Sequence, residues 1–257
     1  MVTAWALRAG STIGSVGNTM GDRTGKTLST ETAGQADIDA FVQQLRAAPS
    51  AATGGRGRLI FAMDATASRE PTWDRACQLQ GEMFESTSGL GGLDVQLVFY
   101  RGFRECKASP WVSDARALLQ RMTAVRCLGG HTQLKRVLVH ARRQTETKRV
   151  NALVFVGDCF EEDIDDVCQA AGELGLAGVP AFIFHEGPDP VAAKVFKQVA
   201  RLTKGAYCPF DSGSAKQLKD LLGAVAVYAA GGLRALNDFS AQRGGEALRL
   251  THQVGSS

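Results

Sequence analysis

Four apolar runs, Leu59 to Met63, Val95 to Tyr100 (broken only by Gln96), Ala152 to Val156 and Val179 to Phe184, alternate with longer stretches in which apolar residues recur at helical spacing. A run that is apolar at every position suits a strand covered on both faces, as in a parallel sheet. The intervening stretches put Trp73, Cys77, Gln80 and Phe84 on one line, and Leu134, Val137, Leu138 and Ala141 on another. Ile164, Val167, Cys168, Ala171 and Leu174 form a third, and two more helices run through Val195, Val199 and Leu202 and through Leu218, Leu221, Leu222 and Val225. Such alternation is the pattern of parallel βα units. Phe103 to Ala108 predicts a short antiparallel edge strand, and Pro110 divides it from a helix starting near Ser113. The expected fold is therefore α/β: a Rossmann-like, doubly wound, mostly parallel sheet with helices on both faces.

The flanks differ in character. Residues 1–34 are rich in Gly, Ser and Thr and read as a flexible arm. Residues 35–57 hold a short amphipathic helix, with Ile38, Phe41, Val42 and Leu45 as its stripe, and a Gly-rich linker after Pro49. The body spans 58–233 and 234–257 form an extension; from about Gly231 another apolar set, Leu233, Leu236 and Phe239, runs into it. Gly21-Asp22-Arg23-Thr24-Gly25-Lys26-Thr27 has three residues between its glycines where a phosphate-binding loop has four, and no apolar strand precedes it.

Charge and cysteine content narrow the function classes. The 257 residues carry 29 Lys and Arg against 26 Asp and Glu, a formal charge of +3 with no polybasic block. No nucleic-acid or anionic-membrane partner is expected from so mild an imbalance. No apolar run reaches the length of a membrane span, and the N-terminus lacks the pattern of a secretory signal. The six cysteines form no C-x-x-C pair and read as reduced packing residues of a cytoplasmic protein.

In a doubly wound sheet, ligands bind outside the carboxyl ends of the strands. Asp64-Ala65-Thr66-Ala67-Ser68 follows the first run, Gly129-Gly130-His131-Thr132 precedes a helix, and Gly157-Asp158 follows the run at 152–156. These positions offer two carboxylates and three hydroxyls. An all-oxygen donor set suits a hard divalent ion, Mg2+ or Mn2+ ahead of zinc.

From about Arg58 to Leu233 the chain resembles a von Willebrand factor type A domain, whose metal-ion-dependent adhesion site consists of Asp-x-Ser-x-Ser after the first strand, a Thr in a later loop and an Asp after the fourth strand. Asp64, Thr66 and Ser68 match the first part, Thr132 the second and Asp158 the third. The sequence departs from the pattern in three places: Thr66 stands for the first Ser, His131 precedes Thr132, and Cys159 follows Asp158 where Gly is usual. The resemblance implies that Thr66, Ser68 and Thr132 ligate the ion directly, with Asp64 and Asp158 acting largely through water. It further implies a protein partner that completes the coordination with an Asp or Glu, and, for bacterial cytosolic members, an adaptor role beside chaperones, ATPases or stress-response machines.

Each segment also has a plainer explanation. Thr66 or Ser68 could cap a helix with Glu70 in its first turn, and Thr132 could cap the helix that follows it. The acids from Glu161 to Asp166 fit a solvated helix start. His131 reads as a rim residue, and His140, His185 and His252 show no metal spacing. A phosphohydrolase built on Asp64 is the alternative enzyme reading, but an Asp-x-Asp motif would need a carboxylate where Thr66 stands. A scaffold with an empty site is the other alternative.

Overall fold

The computed structural model describes residues 34–49, 56–70, 92–210 and 215–242. The expected arm, the helix through Trp73 and Phe84, most of the Gly-rich linker and the end of the extension lie outside the described residues. In chain order the elements are α1 (Gln35–Ala47), β1 (Gly57–Asp64), a 3-10 turn (Ala67–Arg69), β2 (Leu93–Arg101), β3 (Glu105–Ala108), α2 (Ala115–Thr123), α3 (Leu134–Thr147), β4 (Ala152–Gly157), α4 (Ile164–Leu176), β5 (Ala181–Glu186), α5 (Pro190–Leu202), β6 (Ala206–Phe210) and α6 (Ala215–Gln242). The sheet order is β3-β2-β1-β4-β5-β6, parallel throughout except for β3, which pairs antiparallel with β2.

The apolar runs become strands because both faces of the sheet are covered. Leu59, Phe61 and Met63 of β1 enter one core, packed by α1, α2 and α6. Ile60 and Ala62 face the opposite core under α3, α4 and α5. Helix starts follow local capping chemistry: Asp114 accepts from the Ala117 N–H, Asp163 from Asp166, and Asp189 from Val191 and Ala192 with Pro190 at the first position.

The sequence pattern predicts no strand between the last two helices, and the structure corrects this with β6. Only five residues long and carrying Pro209, β6 lacks the continuous apolar signature. It is an edge strand, burying Ala206, Cys208 and Phe210 on alternate positions. Tyr207 donates its N–H to the Gln44 side chain instead of to a neighbouring strand, so Pro209, two residues on, sits where no ladder bond is needed. The apolar set after Gly231 continues α6 past a break at Gly232, and Leu236 is buried. Among the described residues, no helix is long and apolar enough to cross a membrane.

The strand order locates the site. After β1 the chain builds β2 and β3 to one side, then returns to lay β4 on the other. The topological switch point thus falls between β1 and β4, where carboxyl ends leave a crevice.

Candidate metal centre

Register brings the two predicted carboxylates to that crevice. Met63 of β1 lies opposite Val156 of β4, so Asp64 and Asp158 leave their strands almost level. Oxygens of Asp64 and Asp158 and the Sγ of Cys159 all lie within 4.8 Å of one another. Cys159, in sequence terms only a departure from the motif, is therefore part of the cluster.

Asp64 is fully buried and held from two sides. Its Oδ1 accepts the Thr66 N–H at 2.7 Å, and its Oδ2 accepts the Tyr100 hydroxyl at 3.1 Å. Tyr100 reaches it because the two residues are direct cross-strand partners in β1 and β2 and share one face of the sheet. Burial, reinforced by the neighbouring Asp158, raises the Asp64 carboxyl to about 6. The Oδ1 of Asp158 is shut off from solvent and has no hydrogen-bond partner among the described residues. An orphaned buried carboxylate oxygen facing a second buried carboxylate is an arrangement that a cation satisfies. In that respect the residues present fit a divalent ion.

The hydroxyls are placed as follows. Thr66 Oγ1 and Ser68 Oγ lie 3.1 Å apart at the entrance to the 3-10 turn, and neither caps it through its side chain. Thr132 is buried, and its Oγ1 accepts the Glu161 N–H at 2.9 Å, which ties the loop before α3 to the loop that carries Asp158. Thr132 is not the cap of α3. That position belongs to Gln133, and the orphan N–H groups of Leu134 and Lys135 are met by the Glu162 carboxylate from the loop after β4. Most of the acids between Glu161 and Asp166 are exposed, as a solvated helix start requires, with Glu162 the half-buried exception. His131 is largely exposed, 3.2 Å from Glu161, and remains a rim residue.

Three further residues shape the site without a local sequence signal. Arg69 is buried, ion-paired with Glu186 at the end of β5, and feels the charges of Asp158 and Asp64. His185 of β5 places Nε2 3.4 Å from the Asp158 carbonyl while Nδ1 meets the Tyr207 hydroxyl at 2.9 Å, so a β5 side chain steadies the turn after β4. Cys159 is pushed up to about 12 by burial and by the adjacent carboxylates of Asp158 and Asp64, which keeps it a neutral thiol in the metal-free protein.

No protein-family model matches the sequence. No curated protein matches it either. Solved structures do match. A von Willebrand factor type A protein from Catenulispora acidiphila superposes with a TM-score of 0.55 at 16% identity, over 68% of this chain and 44% of that one. The SpRpn10 VWA domain gives 0.53 at 14% identity, covering 66% of this chain and 95% of that domain. Proximal thread matrix protein 1 from the mussel byssus, in a form with a zinc-occupied MIDAS motif, gives 0.52 at 14% identity over 68% of this chain and 46% of that one. The chain thus spans less than half the length of the first and third of these proteins. At such identities the likeness speaks for the architecture alone: the chain has a von Willebrand factor type A fold.

Proposed function

We propose that this chain is a metal-dependent protein-interaction module, in which Asp64, Thr66, Ser68, Thr132 and Asp158 hold Mg2+ or Mn2+ and a protein partner supplies an Asp or Glu as a further ligand. The observation that carries this reading is the buried Oδ1 of Asp158, without a hydrogen-bond partner among the described residues, on a side chain whose carboxylate lies within 4.8 Å of that of Asp64. When bound, the ion would supply a directional positive centre for the partner's carboxylate. The chain's own residues prepare that position: Tyr100 and the Thr66 N–H fix Asp64, Glu161 fixes Thr132, and His185 steadies the backbone at Asp158. The hydroxyls of Thr66 and Ser68 add oxygen donors without adding charge, which leaves the ion electrophilic. No catalytic role is assigned, since Thr66 occupies the position where a phosphohydrolase of this topology needs a second carboxylate. The unpaired thiols of Cys106, Cys127, Cys159, Cys168 and Cys208 support a cytoplasmic setting, where an adaptor of chaperone, ATPase or stress-response machinery would act.

The test is capture of the cellular partner by the immobilised protein in millimolar Mn2+ or Mg2+ and in chelator. Capture is expected to require the metal and to be lost in Asp64→Ala, whose circular dichroism stays native. Equal capture in chelator would overturn the metal bridge.

A further inference from the structure

Beside the metal motif lies a platform that the proposed function does not use. The turn between β2 and β3 and the loop leading to α3 are joined backbone to backbone: Gly102 donates to the Leu128 carbonyl at 3.4 Å, and His131 donates to the Gly102 carbonyl at 3.2 Å. Gln133, buried beneath them, reaches the carbonyls of Arg101, Gly102 and Glu105 through its single amide nitrogen. Gly130 is pressed so closely on Gly102 that a Cβ there would stand 2.0 Å from its carbonyl oxygen. The platform is tied to the metal motif as well, since the Leu128 N–H donates at 3.0 Å to the carbonyl of Ala65, between Asp64 and Thr66.

On this support stand large apolar side chains turned to solvent. Phe103 is 73% exposed and Leu128 54%. The Phe103 ring meets the His131 imidazole edge-on at 5.2 Å, immediately before Thr132. Between them runs an open groove of about 600 Å3 lined by Phe103, Leu128, Arg104, Lys107, Glu105 and Cys106 together with Gly102 and Gly129. The carboxylate in that lining, Glu105, is held by Arg101 at 2.9 Å and Lys107 at 2.6 Å. With Arg104 counted, the groove and its immediate support carry three cations against one anion. Across the site, the loop after β4 is acidic, with Glu161 and Asp163 exposed.

An exposed aromatic and an exposed leucine on a rigid, cation-flanked support are a poor surface to leave wet and a good one for a partner's apolar anchor. We propose that this groove takes a large apolar side chain of the partner, one or two residues from the carboxylate that reaches the metal, so that the recognised element is an acidic peptide segment with an aliphatic or aromatic residue beside its Asp or Glu. The positive flank of Arg104 and Lys107 favours acidic neighbours on that segment and disfavours basic ones. This inference rests on the metal-bridge reading, which supplies the place of the carboxylate.

The experiment is a peptide array with one central Asp and the flanking positions varied, probed with the full chain in Mn2+ and followed by titration of the selected peptide. Selected peptides are expected to carry Leu, Ile, Phe or Trp within two residues of the Asp and to lack Lys and Arg. The double variant Phe103→Ser, Leu128→Ser should weaken the selected peptide at least tenfold, and Arg104→Glu by several-fold, with the Mn2+-induced rise in melting temperature unchanged in both. No selected peptide, no apolar preference, or an unaffected double variant overturns the groove. Peptides that bind in chelator yet still lose affinity in the double variant would uphold the groove and overturn the metal bridge, which keeps the two claims separable.

Discussion

Asp64 bears its charge in a place that resists it. The carboxyl at about 6 stands well above its ordinary value because burial outweighs the Thr66 hydrogen bonds that pull it down, with the neighbouring Asp158 adding to the rise. Between about pH 4 and pH 6 the native state therefore keeps a proton that the unfolded chain has already released. Stability falls as pH rises through that window, and the cost is fully present above it. A difference of about two units corresponds to on the order of 2–3 kcal/mol. In chelator above pH 7, Asp64→Asn is expected to melt higher than wild type, because the amide carries no charge to desolvate. The advantage should vanish near pH 4 and be reversed in Mn2+, which the charged carboxylate holds more tightly than the neutral amide. Calorimetry of both proteins across pH 4 to 8, with and without Mn2+, checks this. A pH-independent difference between them would remove the electrostatic account. Asp64, Thr66 and Ser68 stand out in the sequence because Asp-x-Thr-x-Ser is a local pattern. Tyr100, Arg69 and Cys159 were not, because each enters the site through the packing of one strand end against another.

At the scale of elements, α1 is bound into the sheet by its aromatic residue. Phe41 is buried, its ring centroid 6.0 Å from that of Phe182 and 5.3 Å from that of Phe184, both on β5. Leu45 beside it is buried too, and Gln44 closes the β6 edge through the Tyr207 N–H. Phe41→Ala should cost about 3–5 kcal/mol, the range for removing a large core aromatic, and be read as a lower midpoint in urea unfolding with an unchanged slope. A change under about 1 kcal/mol would mean that α1 is peripheral. The helix itself follows from the stripe of Ile38, Phe41 and Leu45, which a sequence shows directly. What the stripe packs against includes β6, which alternates burial over only five residues and contains a proline, so neither its existence nor its place beside α1 could be read from local pattern. The same limit applies to α3, whose N-terminal N–H groups are met by Glu162 from another loop instead of by a residue of its own segment.

For the molecule as a whole, binding of a divalent ion to the native state alone should raise its stability by mass action. At a metal concentration a hundred times Kd the gain is about 2.7 kcal/mol, and for a domain of this size that is a rise in Tm on the order of 5–10 °C. Scanning calorimetry in millimolar Mg2+, Mn2+ and chelator measures it, with Ser68→Ala and Thr66→Val expected to lose most of the shift. An unchanged Tm in all three conditions would count against a metal centre here. The sequence by itself determined the alternation of strands and helices from β2 to α5, the burial of the sheet on both faces and the antiparallel edge of Glu105–Ala108, because hydrophobic periodicity acts over a few residues. It also placed Asp64, Thr66, Ser68, Thr132 and Asp158 near strand ends or loops. Tertiary structure alone decided that β1 lies beside β4, which sets Asp64 and Asp158 across one crevice, and that Cys159, Arg69 and His185 close around them. It also set the Phe103 and Leu128 platform against the turn that follows Asp64. These juxtapositions join residues tens of positions apart through sheet order and register, and they follow from how the two cores close, which no short stretch of chain encodes.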